Sequence, residues 1–119
     1  MKKISIIGPE SSGKTTITKI LSKVLNCNYS EEYARKYLNE RKGYKFDDLI
    51  KIGRGQDEII KKIVSSSSRY FIADTSCLVV ELWSKIKYKK VDKELYQLSN
   101  NETFDFYLLC KPDIPWDCL

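Results

Sequence analysis

The sequence predicts an α/β fold in which a mostly parallel sheet of about four strands lies between two layers of helices. Short apolar runs alternate with longer segments of helical periodicity, and this alternation is typical of parallel sheets covered on both faces. A glycine-containing loop at residues 8–15 joins the first apolar run to the first helical segment. The polar residues of chemical interest follow strands, at the edge where such sheets bind ligands.

The first half of the chain predicts two strands and three helices. These are a strand at 3–7, a helix at 14–25, a strand at 27–30, a helix at 33–38 and a helix at 46–64. The apolar faces expected for the two longer helices are Ile17, Ile20, Leu21, Val24 and Leu25, and Phe46, Leu49, Ile50, Ile60, Ile63 and Val64. Gly53 and Gly55 interrupt the last helix, and they predict a kink or a close backbone approach.

The second half predicts a buried strand at 70–73 that ends at Asp74, then two helices and a last apolar strand at 104–110. Unbroken apolar runs favour strands that are buried on both faces. The expected apolar positions of the two helices are Leu78, Val79, Leu82, Trp83 and Ile86, and Val91, Leu95 and Leu98.

Composition suits a single domain spanning residues 1–119, with 42% hydrophobic residues. The absence of histidine excludes Ser-His-Asp and Cys-His nucleophiles and His-containing metal sites. The four cysteines form no C-x-x-C pair, which favours free thiols in a reducing compartment. No apolar run approaches 18 residues, and the chain enters a strand directly, so we expect a cytoplasmic protein without a signal peptide or membrane span.

The formal net charge is +5, from 21 basic and 16 acidic side chains. The lysines fall mainly on expected outer faces of helices, without regularly spaced stacking aromatics. A solvated surface is therefore favoured over a nucleic-acid interface.

Residues 8–15 read Gly-Pro-Glu-Ser-Ser-Gly-Lys-Thr and match the phosphate-binding pattern G-x-x-x-x-G-K-[ST] between a strand and a helix. Backbone N–H groups of such a loop point at phosphate, and the helix N-terminus adds to the attraction. The sequence therefore predicts ATP and Mg²⁺ as ligands, with Lys14 on the outer phosphates and Thr15 on the metal. The residues predicted to bind the nucleotide are Gly8, Glu10, Ser11, Ser12, Gly13, Lys14, Thr15 and Thr16.

Two carboxylates are candidates for the chemistry. Asp74 follows a buried strand, where phosphate-loop proteins place an acid that helps to hold Mg²⁺; the alternative is an N-cap for the helix starting near Ser76. Glu32 is the candidate to accept a proton from an acceptor hydroxyl, and a first-turn helix charge is an equally good interpretation. Arg35 lies one turn further on and would hold the acceptor or pair with Glu32.

Other phosphate-loop classes fit the sequence less well. It contains no Asn-Lys-x-Asp motif, which weighs against a regulatory GTPase. Asp74 is followed by Thr75 and not by a second acid, which weighs against an ATPase motor. A small-molecule kinase remains, with Lys14, Glu32 and Asp74 as its catalytic residues.

Several blocks together resemble the ribosylnicotinamide kinase domain of NadR-type proteins, within the phosphate-loop NTPase superfamily. They are the loop at 8–16, Glu-Tyr-Ala-Arg-Lys-Tyr at 32–37, Gly-Gln-Asp-Glu at 55–58, Ala-Asp-Thr-Ser at 73–76 and Asp-Phe-Tyr-Leu-Leu-Cys-Lys-Pro-Asp-Ile-Pro-Trp at 105–116. The resemblance covers nearly the whole chain.

The resemblance implies transfer of phosphate from ATP to the 5′-hydroxyl of nicotinamide riboside, which gives nicotinamide mononucleotide. It implies that Glu32, Arg35, Gln56, Asp113 and Trp116 line the riboside pocket, with Trp116 able to stack on the pyridinium ring. The chain departs from the family where a lid carrying arginines would follow, since its arginines are Arg35, Arg41, Arg54 and Arg69. The resemblance also implies a further helix and a fifth strand after the lid, which this chain lacks. We therefore expect a C-terminally incomplete domain whose last strand forms an exposed sheet edge, with the lid dispensable or supplied by another copy or a partner.

Three alternatives stay open at this point. A deoxynucleoside or nucleotide kinase is the nearest enzyme, and the Glu-Tyr-Ala-Arg block weighs against it. A truncated ATP-binding module with little catalysis is favoured by the missing lid. The interpretation as an NTPase that acts with nucleic acid is supported by the basic charge alone.

Overall fold

The computed structural model describes residues 1–8, 13–39, 41–66 and 69–110. The strands in these ranges are β1 (Lys2–Ile7), β2 (Asn28–Ser30), β3 (Tyr70–Asp74) and β4 (Phe106–Leu109). The helices are α1 (Lys14–Leu25), α2 (Tyr33–Leu38), α3 (Phe46–Val64), α4 (Cys77–Tyr88) and α5 (Lys93–Asn101). Every predicted element is present, with bounds that differ from the prediction by at most a few residues.

The four strands form one parallel sheet in the order β2-β3-β1-β4, which confirms the predicted fold class. The register of β1 on β3 places Ile6 beside Asp74. The phosphate loop that follows β1 and the carboxylate at the end of β3 therefore share one edge of the sheet, as expected from the general rule for parallel sheets.

Helices cover both faces of the sheet. On one face Ile6 and Ile72 are buried against Leu21 and Leu25 of α1. On the other, Phe71 and Ala73 pack with residues of α3, including Ile60. Alternation along β3 explains the division, since successive side chains point to opposite faces.

The apolar face predicted for α1 is partly wrong. Ile20 is 55% and Val24 73% exposed, and Ile17 is also exposed. The helix instead buries Lys14 and Thr18, and the Thr18 hydroxyl donates to the carbonyl oxygen of Lys14 at 2.9 Å. The helix is therefore rotated so that the side chain of Lys14, and not that of Ile17 or Ile20, is turned to the interior.

The face predicted for α4 is also partly wrong, since Leu82 and Ile86 are exposed. The buried positions include Glu81 and Ser84. Both polar groups have partners: Glu81 pairs with Lys85 at 2.8 Å, and the Ser84 hydroxyl donates to the carbonyl oxygen of Lys90 at 2.6 Å. A polar group that is hydrogen-bonded can be buried at little cost in free energy. A pattern of apolar residues does not reveal such buried polar positions.

Helix α3 is continuous, and its two glycines mark close approaches. A Cβ built on Gly53 would lie 2.6 Å from Leu95 Cδ1, and one built on Gly55 would overlap the ring of Tyr33. Of the two sequence interpretations, close approach is therefore the one that the structure supports.

The start of α3 is stabilised by Asp48. Its carboxylate accepts a hydrogen bond from the Lys45 N–H at 2.7 Å. This bond and one from the Tyr37 hydroxyl lower the Asp48 pKa.

Strand β4 pairs with β1 along one side and lies at the end of the sheet. Its four side chains are exposed on both faces, from 42% at Leu108 to 69% at Leu109. The expectation of an exposed edge is confirmed.

Among the described helices, none combines the length and the hydropathy that a membrane crossing requires.

Candidate nucleotide and acceptor site

The end of the phosphate loop is set by Gly13, which caps α1 with φ 79° and ψ 15°. This left-handed conformation favours glycine. It lets the helix begin at Lys14, and the Gly13 carbonyl accepts the first helical hydrogen bond, from Ile17, at 3.0 Å. Gly8 directly follows β1, and Thr16 is exposed in the first turn. The predicted nucleotide ligands Glu10, Ser11 and Ser12 lie outside the described residues.

Lys14 is the centre of the site and is only 2% exposed. Its ammonium donates to Asp74 Oδ1 at 2.5 Å, to Glu32 Oε1 at 2.8 Å and to Thr75 Oγ1 at 2.9 Å. Three oxygen acceptors match the three protons of an ammonium group, which is what makes burial of this charge tolerable. Two distant parts of the chain, Glu32 after β2 and the Asp74-Thr75 pair at the end of β3, therefore converge on one nitrogen.

Asp74 binds with both carboxylate oxygens. While Oδ1 accepts from Lys14, Oδ2 accepts from the Thr15 hydroxyl at 2.9 Å. The alternative role as an N-cap is wrong, because α4 has Ser76 as its N-cap residue. The first N–H groups of that helix, from Cys77 and Leu78, donate to the Glu102 carboxylate at 2.7 and 3.3 Å.

Thr15 and Asp74 also fit a magnesium ion. A hydroxyl and a carboxylate oxygen lie side by side at 2.9 Å, and both are the hard oxygen ligands that Mg²⁺ prefers. Within the described ranges, no group of three or more His, Cys, Asp or Glu side chains could hold a metal. An ion here would therefore complete its shell with phosphate oxygens and water, which is the usual situation for Mg²⁺ with nucleotides.

Glu32 stands at the N-cap position of α2 without a capping hydrogen bond from its side chain. Its carboxylate instead accepts from Lys14, and the Arg35 guanidinium approaches the same oxygen at 3.5 Å. Arg35 also donates to Thr15 Oγ1 at 3.1 Å. Of the two interpretations of Glu32, the structure favours the residue of the site over the helix-dipole charge.

Gln56 has a different position from the one that the resemblance implies. It is buried, its Oε1 accepts from the Tyr33 N–H at 2.8 Å and its Nε2 donates to the Glu31 carbonyl oxygen at 3.2 Å. Both ends of the amide thus bind the backbone on either side of Glu32. Gln56 therefore fixes the turn that carries Glu32, and a contact of Gln56 with the acceptor stays a prediction.

Thr75 is a site residue that sequence reasoning missed. It has φ 84°, a conformation that costs a β-branched residue about 1–3 kcal/mol and is concentrated at functional sites. Its N–H donates to the Ile6 carbonyl oxygen at 3.1 Å, and its hydroxyl accepts from Lys14. No local sequence signal reveals this role, since a threonine after a strand is ordinary.

Two cavities of about 330 Å³ each adjoin Glu32. The first, which we call the Trp83 cavity, is lined by Glu32, Ala34, Arg35, Leu38, Asn39 and Trp83. The second is lined by Tyr29, Glu31, Glu32, Tyr33, Lys36, Ile59 and Ile63. A larger space at residues 41–51 includes none of the site residues, so its size carries no functional argument. The predicted acceptor residues Asp113 and Trp116 lie outside the described residues.

Comparison with known proteins identifies a family and several relatives of the chain. A family model described as "AAA domain" matches residues 3–118. The chain is 27% identical over 98% of its length to the trifunctional NAD biosynthesis/regulator protein NadR of Escherichia coli strain K12, and it spans 30% of that relative. The NadR protein of Salmonella typhimurium matches equally well.

Solved structures show the same similarity. A NadR protein in complex with NR superposes with a TM-score of 0.77 at 26% identity, over 96% of this chain and 34% of that one. A NadR protein in complex with NAD and AMP-PNP gives 0.76 at 27% identity, over 91% and 33%. A deoxyadenosine kinase from M. mycoides, at 24% identity and a TM-score of 0.63 over 91% and 63%, shares the fold.

The fold is that of the NadR structures and of the deoxyadenosine kinase. The family model covers almost the whole chain. This chain therefore belongs to the AAA domain family, and it is similar to NadR proteins.

Proposed function

We propose that this chain is an ATP- and Mg²⁺-dependent kinase that phosphorylates nicotinamide riboside to nicotinamide mononucleotide. One observation carries the proposal: Lys14, the lysine of the phosphate loop, and Glu32, the candidate base, lie 2.8 Å apart beside a cavity. Donor phosphate and acceptor hydroxyl would thus meet at one point. Similarity to a NadR structure in complex with NR supports the choice of acceptor.

The chemistry follows from the positions of these groups. The acceptor oxygen attacks the γ-phosphorus of ATP, the bond from that phosphorus to the β,γ-bridging oxygen breaks, and ADP leaves. The hydroxyl proton passes to a Glu32 carboxylate oxygen. Lys14 moves onto the β- and γ-phosphates and stabilises their charge. Thr15 and Asp74 would hold Mg²⁺, which neutralises phosphate charge when bound.

Arg35 is the arginine that the structure brings to the site, through contacts with Thr15 and Glu32. Its side chain is 51% exposed, so it has room to turn towards a phosphate or a ribose hydroxyl. We propose that Arg35 helps to hold the acceptor. The single-domain organisation of residues 1–119 and a cytoplasmic location remain predictions.

The test is to incubate the purified chain with ATP, Mg²⁺ and nicotinamide riboside and to detect nicotinamide mononucleotide by mass spectrometry. A mixture of deoxynucleosides is run in parallel. We expect product from the riboside, and at least a 100-fold loss of rate (~3 kcal/mol) in Lys14→Ala, because the lost ammonium stabilises the transferring group. Lys19→Ala, an exposed lysine of the same helix, is the matched control and should keep the rate.

Three other outcomes would contradict the proposal in distinguishable ways. ATP binding without product from any acceptor would indicate a binding module. Product from deoxynucleosides alone would indicate a deoxynucleoside kinase. Unchanged rate in Lys14→Ala would mean that the phosphate site has been misplaced.

A further inference from the structure

The turn between β3 and α4 carries two of the groups that hold Lys14. Asp74 and Thr75 accept hydrogen bonds from its ammonium at 2.5 and 2.9 Å. Thr75 has φ 84°, a left-handed conformation that a β-branched residue keeps only where the surrounding structure fixes it. The contacts that fix this turn therefore bear directly on the geometry of the site.

On the strand side, β1 holds the turn. The Thr75 N–H donates to the Ile6 carbonyl oxygen at 3.1 Å, and the Ser5 hydroxyl donates to the Ser76 hydroxyl at 3.1 Å, with both serines fully buried. The Ser76 hydroxyl is thus engaged with β1, and although Ser76 is the N-cap residue of α4, its side chain makes no capping hydrogen bond. The first N–H groups of α4 therefore need an acceptor from elsewhere.

On the helix side, Glu102 supplies this acceptor. Its carboxylate accepts from the Cys77 N–H, 25 residues earlier in the chain, at 2.7 Å and from the Leu78 N–H at 3.3 Å, in the manner of an N-cap side chain. The positive end of the α4 dipole also favours a carboxylate here. Glu102 is itself fixed as the C-cap residue of α5, where its N–H donates to the Ser99 carbonyl oxygen at 3.3 Å. The end of α5 thus holds the first turn of α4.

We propose that Glu102 is a positioning residue of the nucleotide site. By holding the first turn of α4, it keeps Thr75 in its left-handed conformation and Asp74 directed towards Lys14 and Thr15. Glu102 binds the backbone of α4, so it acts on the site through Asp74 and Thr75. The inference rests on the proposed function, because it assigns to Glu102 the geometry in which Asp74 would hold Mg²⁺.

Asp92 offers a matched control for Glu102. Its carboxylate caps α5 and accepts from the N–H groups of Glu94 and Leu95 at 2.8 and 3.3 Å, nearly the same distances as those at Glu102. Loss of either cap should therefore lower the Tm by about 5 °C. Asp92 begins α5, whereas Glu102 holds the turn that carries Asp74, so variants of the two residues separate loss of a cap from loss of site geometry.

The test compares the wild type, Glu102→Ala and Asp92→Ala. Each protein is titrated with AMP-PNP by isothermal titration calorimetry, once with Mg²⁺ and once with EDTA, at a temperature well below its Tm. In Glu102→Ala the affinity gained on adding Mg²⁺ should be about tenfold smaller than in the wild type, because residues that orient a metal ligand affect metal affinity to this extent. Asp92→Ala should keep the full gain. Glu102→Gln, which retains an oxygen acceptor, should recover most of the loss.

Amide hydrogen exchange followed by NMR gives a readout that needs no ligand. The Thr75 N–H donates to Ile6 and not to Glu102, so loss of the cap does not by itself free this amide. If Glu102 holds the turn, the Thr75 amide should exchange about tenfold faster in Glu102→Ala than in Asp92→Ala, because the turn then opens locally. Comparison at similar Tm removes the contribution of global unfolding.

Two results would overturn the inference. A full Mg²⁺ effect in Glu102→Ala, despite a lowered Tm, would reduce Glu102 to a helix cap. Equal losses in Glu102→Ala and Asp92→Ala would assign the effect to global stability. If Glu102→Ala does not fold, Glu102→Gln and Asp92→Asn replace the alanine variants under the same criteria.

Failure of the proposed function gives a different pattern. AMP-PNP binding by the wild type without product from any acceptor would reject the kinase and leave the comparison of Mg²⁺ effects to decide the role of Glu102. If the wild type binds no AMP-PNP, the proposed function fails by that result, and exchange at Thr75 decides. Selective acceleration in Glu102→Ala then keeps Glu102 as the residue that holds the turn, and an unchanged rate rejects it.

Discussion

At the scale of single residues, the ammonium group of Lys14 organises the candidate site. Its ammonium is held by the carboxylates of Asp74 and Glu32 and by the hydroxyl of Thr75. A triphosphate must draw the ammonium away from these oxygens before the phosphates can be stabilised. In the proposed mechanism, Glu32 would accept a proton from the acceptor only after ATP has engaged Lys14, and this order would couple the two substrates.

This coupling predicts the behaviour of Glu32→Gln. We expect this variant to bind ATP at least as tightly as the wild type, with Kd lowered by up to about tenfold, because one carboxylate that competes with the phosphates has been neutralised. Isothermal titration calorimetry with a non-hydrolysable analogue measures it. Glu31→Gln, at the exposed neighbouring position, should leave Kd unchanged. Weaker ATP binding by Glu32→Gln would show that Glu32 serves the fold or the metal.

Sequence predicted the identities of Lys14, Thr15, Glu32 and Asp74 because each follows a strand or opens a helix, where pattern and function coincide. It did not predict that one ammonium joins them. Thr75 and Gln56 show the reason: their roles come from a backbone angle and from hydrogen bonds across 23 residues (Tyr33 to Gln56). Such relations exist only once the chain has folded.

At the scale of elements, the contact between α2 and α3 positions the site. Gln56 binds the backbone of the turn before α2, and Gly55 lets the Tyr33 ring lie against α3. Gly55 has a low helical propensity, but the lack of a side chain at this position permits the close contact with Tyr33. Periodicity predicted α3 well, since its buried positions are mostly apolar, and predicted α1 and α4 less well because their buried faces contain Lys14, Glu81 and Ser84.

The close contact predicts the sign of the effect of Gly55→Ala. Helix propensity alone would stabilise this variant by about 1 kcal/mol. We expect overlap with the Tyr33 ring to outweigh that gain, giving a net loss of about 1–2 kcal/mol and a Tm lower by roughly 5–10 °C. Thermal unfolding followed by circular dichroism measures it. In a Tyr33→Ala background the same change should raise Tm, and a rise in the wild-type background would contradict the contact.

At the scale of the whole molecule, one edge of the parallel sheet collects the chemistry. The loop after β1, the turn after β2 and the end of β3 meet there, and the Trp83 cavity opens beside them. At one lateral edge of the sheet, β4 pairs with β1 and with no other strand of the described residues, and its apolar side chains are exposed. The strand order was not predicted, because apolar runs do not record which strands are neighbours.

In the proposed mechanism, Glu32 takes the proton from an acceptor hydroxyl that attacks the γ-phosphorus of ATP held at Lys14. The most direct measurement is the rate of nicotinamide mononucleotide formation by wild type and by Glu32→Gln, at saturating ATP and riboside. We predict product from the wild type and a fall of about 10²-fold or more in Glu32→Gln, since general bases contribute at least that much. Equal rates in the two proteins would contradict the claim.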